Sequence, residues 1–152
     1  MSDKILMNIS MILKKEDFVK IKNQPTGKIQ LAQKEDWFFL KEWIELFYEE
    51  ALGQNFLIKN NSHKKEFNEK PQIYLWWDKK PVAMGMITTD LGATAKINLI
   101  YTIKSERGKG YGKAIVYELC KIILEDNKTP TLSVSSGNIA AKNLYYSIGF
   151  NN

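Results

Sequence analysis

The chain has a single cysteine and a single histidine in 152 residues. Cys120 alone cannot close an internal disulfide or anchor a cysteine-based zinc cluster. A serine–histidine triad exists only if His63 serves in it. Long apolar runs are missing as well. A membrane-crossing helix needs roughly 20 consecutive apolar residues, and the runs here are a few residues long, so no membrane partner is expected. Charge of one sign is also scarce. The 22 basic residues exceed the 17 acidic ones by five, which favours anionic ligands without demanding nucleic acid. What remains, 44% hydrophobic and 26% charged residues, is the usage of a globular domain long enough to bury its own core.

The N-terminal stretch carries Met7, Ile9, Met11 and Leu13 at alternate positions, which predicts a strand; a short helix is the rival reading. Asn8 and Ser10 interrupt its apolar character, and charged residues follow without a small-residue cleavage site. Export is therefore not expected, and the expected compartment is the cytoplasm. The turn chemistry of Asn23–Gly27 separates this arm, residues 1–28, from a main domain over 29–152.

Within that domain the patterns predict a strand over Ile29–Ala32. A helix follows, with Trp37, Leu40, Ile44, Phe47 and Ala51 on one face and Glu35 and Asp36 at its positive end. Ile73–Trp77 and Val82–Thr88 form a hairpin that sends Trp76 and Trp77 to opposite faces. Further elements are a strand at Lys96–Ile103, a helix over Tyr111–Leu124, a strand at Thr131–Val134 and a helix over Ile139–Ser147, stopped by Gly149. Ile58–Glu69 reads as a polar loop or a poorly packed helix. The order gives an α/β domain with a mixed, α+β-like sheet.

Chemistry concentrates in Arg107-Gly108-Lys109-Gly110-Tyr111-Gly112-Lys113, set between a strand and a helix. Glycines let the backbone turn tightly and approach a ligand. Successive N–H groups at a helix N-terminus form an anion nest, and Arg107, Lys109 and Lys113 add charge. The loop suits a phosphate or pyrophosphate, although a basic surface turn explains it equally well when it is taken alone. It is not a Walker loop, because Ala114 follows Gly112-Lys113 and Arg107 holds an earlier glycine position. Nor is it a dinucleotide fingerprint, because Lys113 stands where a glycine is required.

A second motif follows the strand Thr131–Val134. Asn138, Ala141, Tyr145, Gly149 and Phe150 match the pattern Asn, two residues, Ala, three residues, Tyr, three residues, Gly-Phe. Arg107, Gly110 and Gly112 match Arg or Gln, two residues, Gly, one residue, Gly or Ala. Together, in this order and on these elements, they resemble the GNAT family of N-acetyltransferases over roughly residues 29–150.

The resemblance implies an acyl-CoA N-acyltransferase fold, with acetyl-CoA or another acyl-CoA as donor and a primary amine as acceptor, by direct attack without an acyl-enzyme. The central strand is expected to splay from its neighbour near Ile100, Tyr101, Thr102 and Ile103, so that its backbone pairs with the pantetheine arm. A backbone N–H near Thr102 would stabilise the tetrahedral oxyanion. The loop Arg107 to Lys113 would hold the pyrophosphate and Asn138 the pantetheine, while Tyr145 would protonate the departing thiolate. No metal is implied.

Each residue also has a plain structural reading. Asn138 suits a helix N-cap, Leu144 and Tyr145 suit a core, Cys120 suits buried packing, and His63 suits a solvated loop. The general base is not evident: the family's ribosomal-protein branch places a Glu where this chain has Ser133, which leaves a water chain, Tyr101, Asp90 or the acceptor's own equilibrium. The family also normally continues with two more strands after Gly-Phe, which this chain lacks. The strand Thr131–Val134 would then be a bare edge, to be covered by the arm Ile5–Leu13 or by a second protomer. A catalytically degenerate CoA-binding module is the alternative function.

Overall fold

A computed structural model describes residues 8–52, 72–89 and 92–152. Alternation governs its first element. In β1 (Asn8–Ile12) Met11 is buried and Ile12 exposed, and Leu13 just beyond is buried again. The remaining strands are β2 (Lys28–Leu31), β3 (Gln72–Trp77), β4 (Pro81–Thr89), β5 (Thr94–Thr102) and β6 (Thr129–Ser135). They form one six-stranded sheet in the order β1-β6-β5-β4-β3-β2. Among the described strands only β5 and β6 pair in parallel. They are joined by helix α2 (Tyr111–Glu125), as parallel neighbours require a crossover.

Helix α1 (Trp37–Leu52) follows a short 3-10 turn, Lys34–Asp36. A capping box opens that turn, in which the Asp36 carboxylate accepts from the Gln33 N–H at 2.8 Å. Helix α3 (Ile139–Ile148) ends at Gly149, whose φ of +119° makes it a left-handed C-cap.

Two apolar clusters lie on opposite faces of the sheet. α2 covers one with Tyr111, Ile115, Leu119 and Cys120, joined by Trp76, Phe150 and Met11. α1 covers the other with Leu40, Trp43 and Ile44, joined by Leu75, Met84 and Tyr101. Trp76 and Trp77 divide between the two faces, Trp77 being only part-buried. Ala51, expected on the buried face of α1, is exposed, on the last turn of the helix.

The β6 edge is not bare. β1 pairs with it antiparallel from Asn8↔Ser135 to Ile12↔Thr131. Ile12 in turn exchanges backbone hydrogen bonds with Asn151, at 2.8 and 2.9 Å. The chain's own arm thus occupies the position for which a second protomer was the other source. The arm also explains Gly149, since a Cβ there would lie 2.1 Å from the Asp17 carbonyl oxygen. Among the described residues, no helix is long and apolar enough to cross a membrane.

Candidate active site

The sheet's one parallel pair is closed at one end and open at the other. β5 and β6 are in register only over Thr94↔Thr129, Ala95↔Pro130 and Lys96↔Thr131. Beyond Lys96, β5 continues beside β4 and β6 continues beside β1, with no further register between them. The resemblance had implied a splay near Ile100; here the strands part from Ile97 onward.

A bulge redirects β5 inside the open stretch. Its register against β4 shifts between Met84 and Met86, so that Leu99 and Ile100 together face Gly85. Leu99 takes φ +54°, a left-handed conformation rare for a branched residue. The bulge reverses the alternation. Ile97 packs on the α2 face and Leu99 on the α1 face, then Ile100 returns to the α2 face and Tyr101 to the α1 face.

Hydrogen-bond parity then decides which backbone groups face the gap. The Ile103 N–H donates to the Val82 carbonyl at 3.0 Å. That makes Ala83↔Thr102 a non-hydrogen-bonded pair and Met84↔Tyr101 a hydrogen-bonded one. Thr102 therefore points both its N–H and its C=O toward the open side. Tyr101 and Ile103 turn their N–H groups toward β4, which corrects the expectation that they offer them to a ligand.

At the mouth of the gap lies the glycine loop. Gly108 and Gly110 have φ of +83° and +88°, and a Cβ would be uncrowded at either, with nothing within 4 Å at Gly108 and only Pro25 Cδ at 3.9 Å from Gly110. Their requirement is conformational. Gly112 is different. It sits in the first turn of α2 without a positive φ, and a Cβ there would meet only Thr102 Oγ1 at an ordinary 3.6 Å. Neither backbone nor packing demands a glycine at 112. The N-cap of α2, Gly110, offers no side-chain cap, so the first N–H groups of the helix face outward as an anion nest.

The loop's cations are less available than the sequence suggests. The Arg107 guanidinium turns back from the loop. Its Nε donates to the Thr102 carbonyl at 2.8 Å, and one terminal nitrogen donates to both carboxylate oxygens of Glu50, at 2.9 and 3.0 Å. It also lies 5.3 Å from the centre of the Tyr101 ring. Lys109 donates to Glu106 at 2.7 Å. Lys113 lines a groove of about 270 Å³ beside the loop, with Lys109, Gly110 and, from the arm, Ile21, Gln24 and Pro25.

Asp78, in the β3–β4 turn, fixes the arm against α2. It accepts from the Tyr111 hydroxyl at 2.5 Å and from the Thr26 hydroxyl at 2.7 Å. Those two bonds hold its carboxyl below the usual range, and the Tyr111 phenol is pushed up to about 12 chiefly by the same carboxylate. The Tyr111 side chain is thus an anchor, and only its backbone faces the nest. Trp76 Nε1 adds a bond to the Thr26 carbonyl at 2.9 Å.

Asn138 caps α3, its Oδ1 accepting from the Ala141 N–H at 3.1 Å; its amide nitrogen is what remains for other contacts. Tyr145 is part-buried, 6.0 Å from Phe150 between ring centres. Burial, then the nearby Cys120, raises its pKa, so the phenol stays protonated at neutral pH. Tyr101 is raised by burial and then by Glu50, which makes it a poor proton acceptor. Burial likewise pushes the Cys120 thiol far up, in keeping with packing rather than reactivity. His63 and Asp90 lie outside the described residues. Among the described residues no acidic, cysteine or histidine cluster could hold a metal.

Sequence reasoning missed Glu50 and Asp78. Glu50 lies 57 positions from Arg107 and Asp78 lies 33 from Tyr111, and no motif links either pair.

A mixed sheet whose central parallel strands part beside a glycine-lined helix N-terminus is an acyltransferase architecture. The sequence model of the Acetyltransferase (GNAT) family matches residues 30–150, and the chain belongs to that family. No curated protein matches significantly. Solved structures similar to it include a GNAT-family acetyltransferase from Colwellia psychrerythraea, at 19% identity and TM-score 0.70 over 97% of this chain and 53% of that one. A functionally unknown conserved protein from Staphylococcus epidermidis matches at 12% identity and TM-score 0.71, over 97% and 59%. A predicted acetyltransferase from Clostridium acetobutylicum, solved with acetyl-CoA, matches at 16% identity and TM-score 0.62, over 84% and 91%. The chain thus spans little more than half the length of the first two. At these identities the likeness is one of fold.

Proposed function

We propose that the chain transfers an acetyl group from acetyl-CoA to a primary amine. The observation that carries this reading is the parting of β5 and β6 beyond Lys96 and Thr131, with the uncapped N-terminus of α2 at its mouth. Pantetheine would lie in the gap as an added strand, its acyl carbonyl at the Thr102 N–H. The pyrophosphate would sit on the nest from Gly108 to Lys113, where Gly112 leaves room for close approach. The nucleotide end would follow the groove between Lys113 and Pro25. Asn138 would offer its free amide nitrogen to the pantetheine.

The neutral amine attacks the thioester carbon and forms a C–N bond. The carbonyl electrons move onto oxygen, which the Thr102 N–H stabilises. On collapse the C–S bond breaks and the thiolate takes the Tyr145 proton, while the ammonium of the adduct loses one to solvent, from which the Tyr145 phenolate is reprotonated. Burial keeps the Tyr145 phenol protonated and so available as a donor, though as a weaker acid than a free tyrosine.

A second reading, a CoA-binding module without turnover, is favoured by one observation. The carboxylate at the strand end, Glu50, is engaged by Arg107 rather than free to act as a base. Thiol release from acetyl-CoA across a panel of primary amines separates the two. The proposed enzyme releases thiol in proportion to acetylated amine and loses at least tenfold in kcat in Tyr145→Phe. Tight CoA binding with no amine-dependent release would instead favour the module.

A further inference from the structure

Arg107 is the residue whose position departs furthest from the phosphate-binding role that its place in the loop implies. Its guanidinium has three engagements, none with the nest: the Thr102 carbonyl, the Glu50 carboxylate and the Tyr101 ring. Tyr101 is buried and Glu50 belongs to α1, so these contacts tie the glycine loop, the end of β5 and the last turns of α1 together. Swinging the side chain to a phosphate would break all three.

Resting on the acyl-CoA reading, we infer that Arg107 is a positioning residue for the thioester carbonyl, and that Glu50 holds it there. The reason is parity at the strand end. Thr102 turns both its N–H and its C=O toward the gap. An acyl oxygen acquiring negative charge is stabilised by that N–H and repelled by the neighbouring carbonyl oxygen. The Arg107 Nε–H, at 2.8 Å, occupies that carbonyl. It leaves the N–H as the polar group offered at this point, and it sets a cation behind the developing charge. Glu50 fixes the guanidinium plane through one terminal nitrogen while Nε serves Thr102. A lysine has one nitrogen and no fork, so it cannot hold both partners in this geometry.

The test uses the whole chain with two probes, free CoA and acetyl-CoA labelled with ¹³C at the thioester carbonyl. Calorimetry gives the affinity for CoA, and infrared difference spectroscopy gives the frequency of the bound carbonyl. In the wild type that band is expected below its position in water. In Arg107→Ala, and less so in Arg107→Lys, it moves back toward the water value while the Kd for CoA stays within about threefold of wild type. Glu50→Gln weakens the anchor while leaving the Arg107 side chain present and shifts the band the same way, so the test survives if Arg107→Ala fails to fold. A tenfold or greater loss of CoA affinity with the band unmoved would make Arg107 a phosphate ligand and overturn the inference alone. A folded wild type that binds no CoA would overturn the acyl-CoA reading, and this inference with it.

Discussion

The two ends of the β5–β6 pair are built from the same strands and behave oppositely. At Thr94–Lys96 the strands are laddered, Pro130 and Ala95 are buried, and the Thr131 hydroxyl donates to the Ala95 carbonyl at 3.4 Å. The arm reinforces this end, with the Leu13 N–H donating to the Pro130 carbonyl at 2.9 Å. At Ile97–Thr102 there is no ladder to β6. The bulge at Leu99 and Ile100 holds β5 against β4 instead, while β1 holds β6 from its far side. Each strand keeps one complete partner, so the gap opens without either strand losing its place in the sheet. The laddered end carries the strand pairing, and the open end is the place proposed for recognition.

Substitutions at the two ends should therefore separate folding from binding. The largest effect is expected at the closed end. Gly149→Ala would drive a Cβ into the Asp17 carbonyl and force a non-glycine residue to φ +119°, for a cost of roughly 2–4 kcal/mol; urea denaturation measures it. A loss below about 0.5 kcal/mol would mean that the arm does not pack there in solution.

Next in size, at the open end, is Gly112→Leu. It removes the helix penalty of glycine, worth up to about 1 kcal/mol, so the denaturation midpoint should hold or rise. Affinity for CoA should fall at least tenfold. If both quantities fell together, Gly112 would be a packing residue and the contrast between the ends would weaken.

The smallest effect concerns the arm. Tyr111→Phe deletes the bond to Asp78 and should lower the denaturation midpoint only slightly. The sign with pH follows from the shifts. Tyr111 is raised from its usual 10.0 to about 12, so its contribution is whole below pH 10 and lost as pH climbs toward 12. Asp78 is lowered, so its contribution is present above the ordinary carboxylate range and lost as pH falls through its depressed value. Absorbance at 295 nm should show a tyrosine that titrates near pH 12 and is absent in Tyr111→Phe.

Much of the closed architecture was legible from periodicity. The faces of α1 and α2 follow from residues such as Leu40, Ile44, Ile115 and Leu119, and the hairpin from Ile73–Thr88, because burial on one side imposes a spacing. The alternation of Met11 and Leu13 likewise marked β1, although its partner was left open between the chain itself and a second copy. The open end was legible only in outline, through the glycine loop and the Asn138–Phe150 pattern. The bulge at Leu99 has no sequence sign, because a leucine in a strand reads as an ordinary inward residue. Arg107 looked like a phosphate cation because local charge is visible in sequence and a distant carboxylate is not. Glu50, Asp78 and the crossing of the arm over α2 are products of tertiary packing, which no local spacing encodes.

The most direct measurement is a calorimetric titration of acetyl-CoA and free CoA into the folded chain, in parallel with Gly112→Leu. Saturation at one site per chain is expected, with ligand at about 100-fold its Kd adding roughly 2.7 kcal/mol of stability and the variant losing at least a tenfold share of the affinity. A folded chain that takes up neither ligand would contradict the assignment of the parted strands to an acyl-CoA.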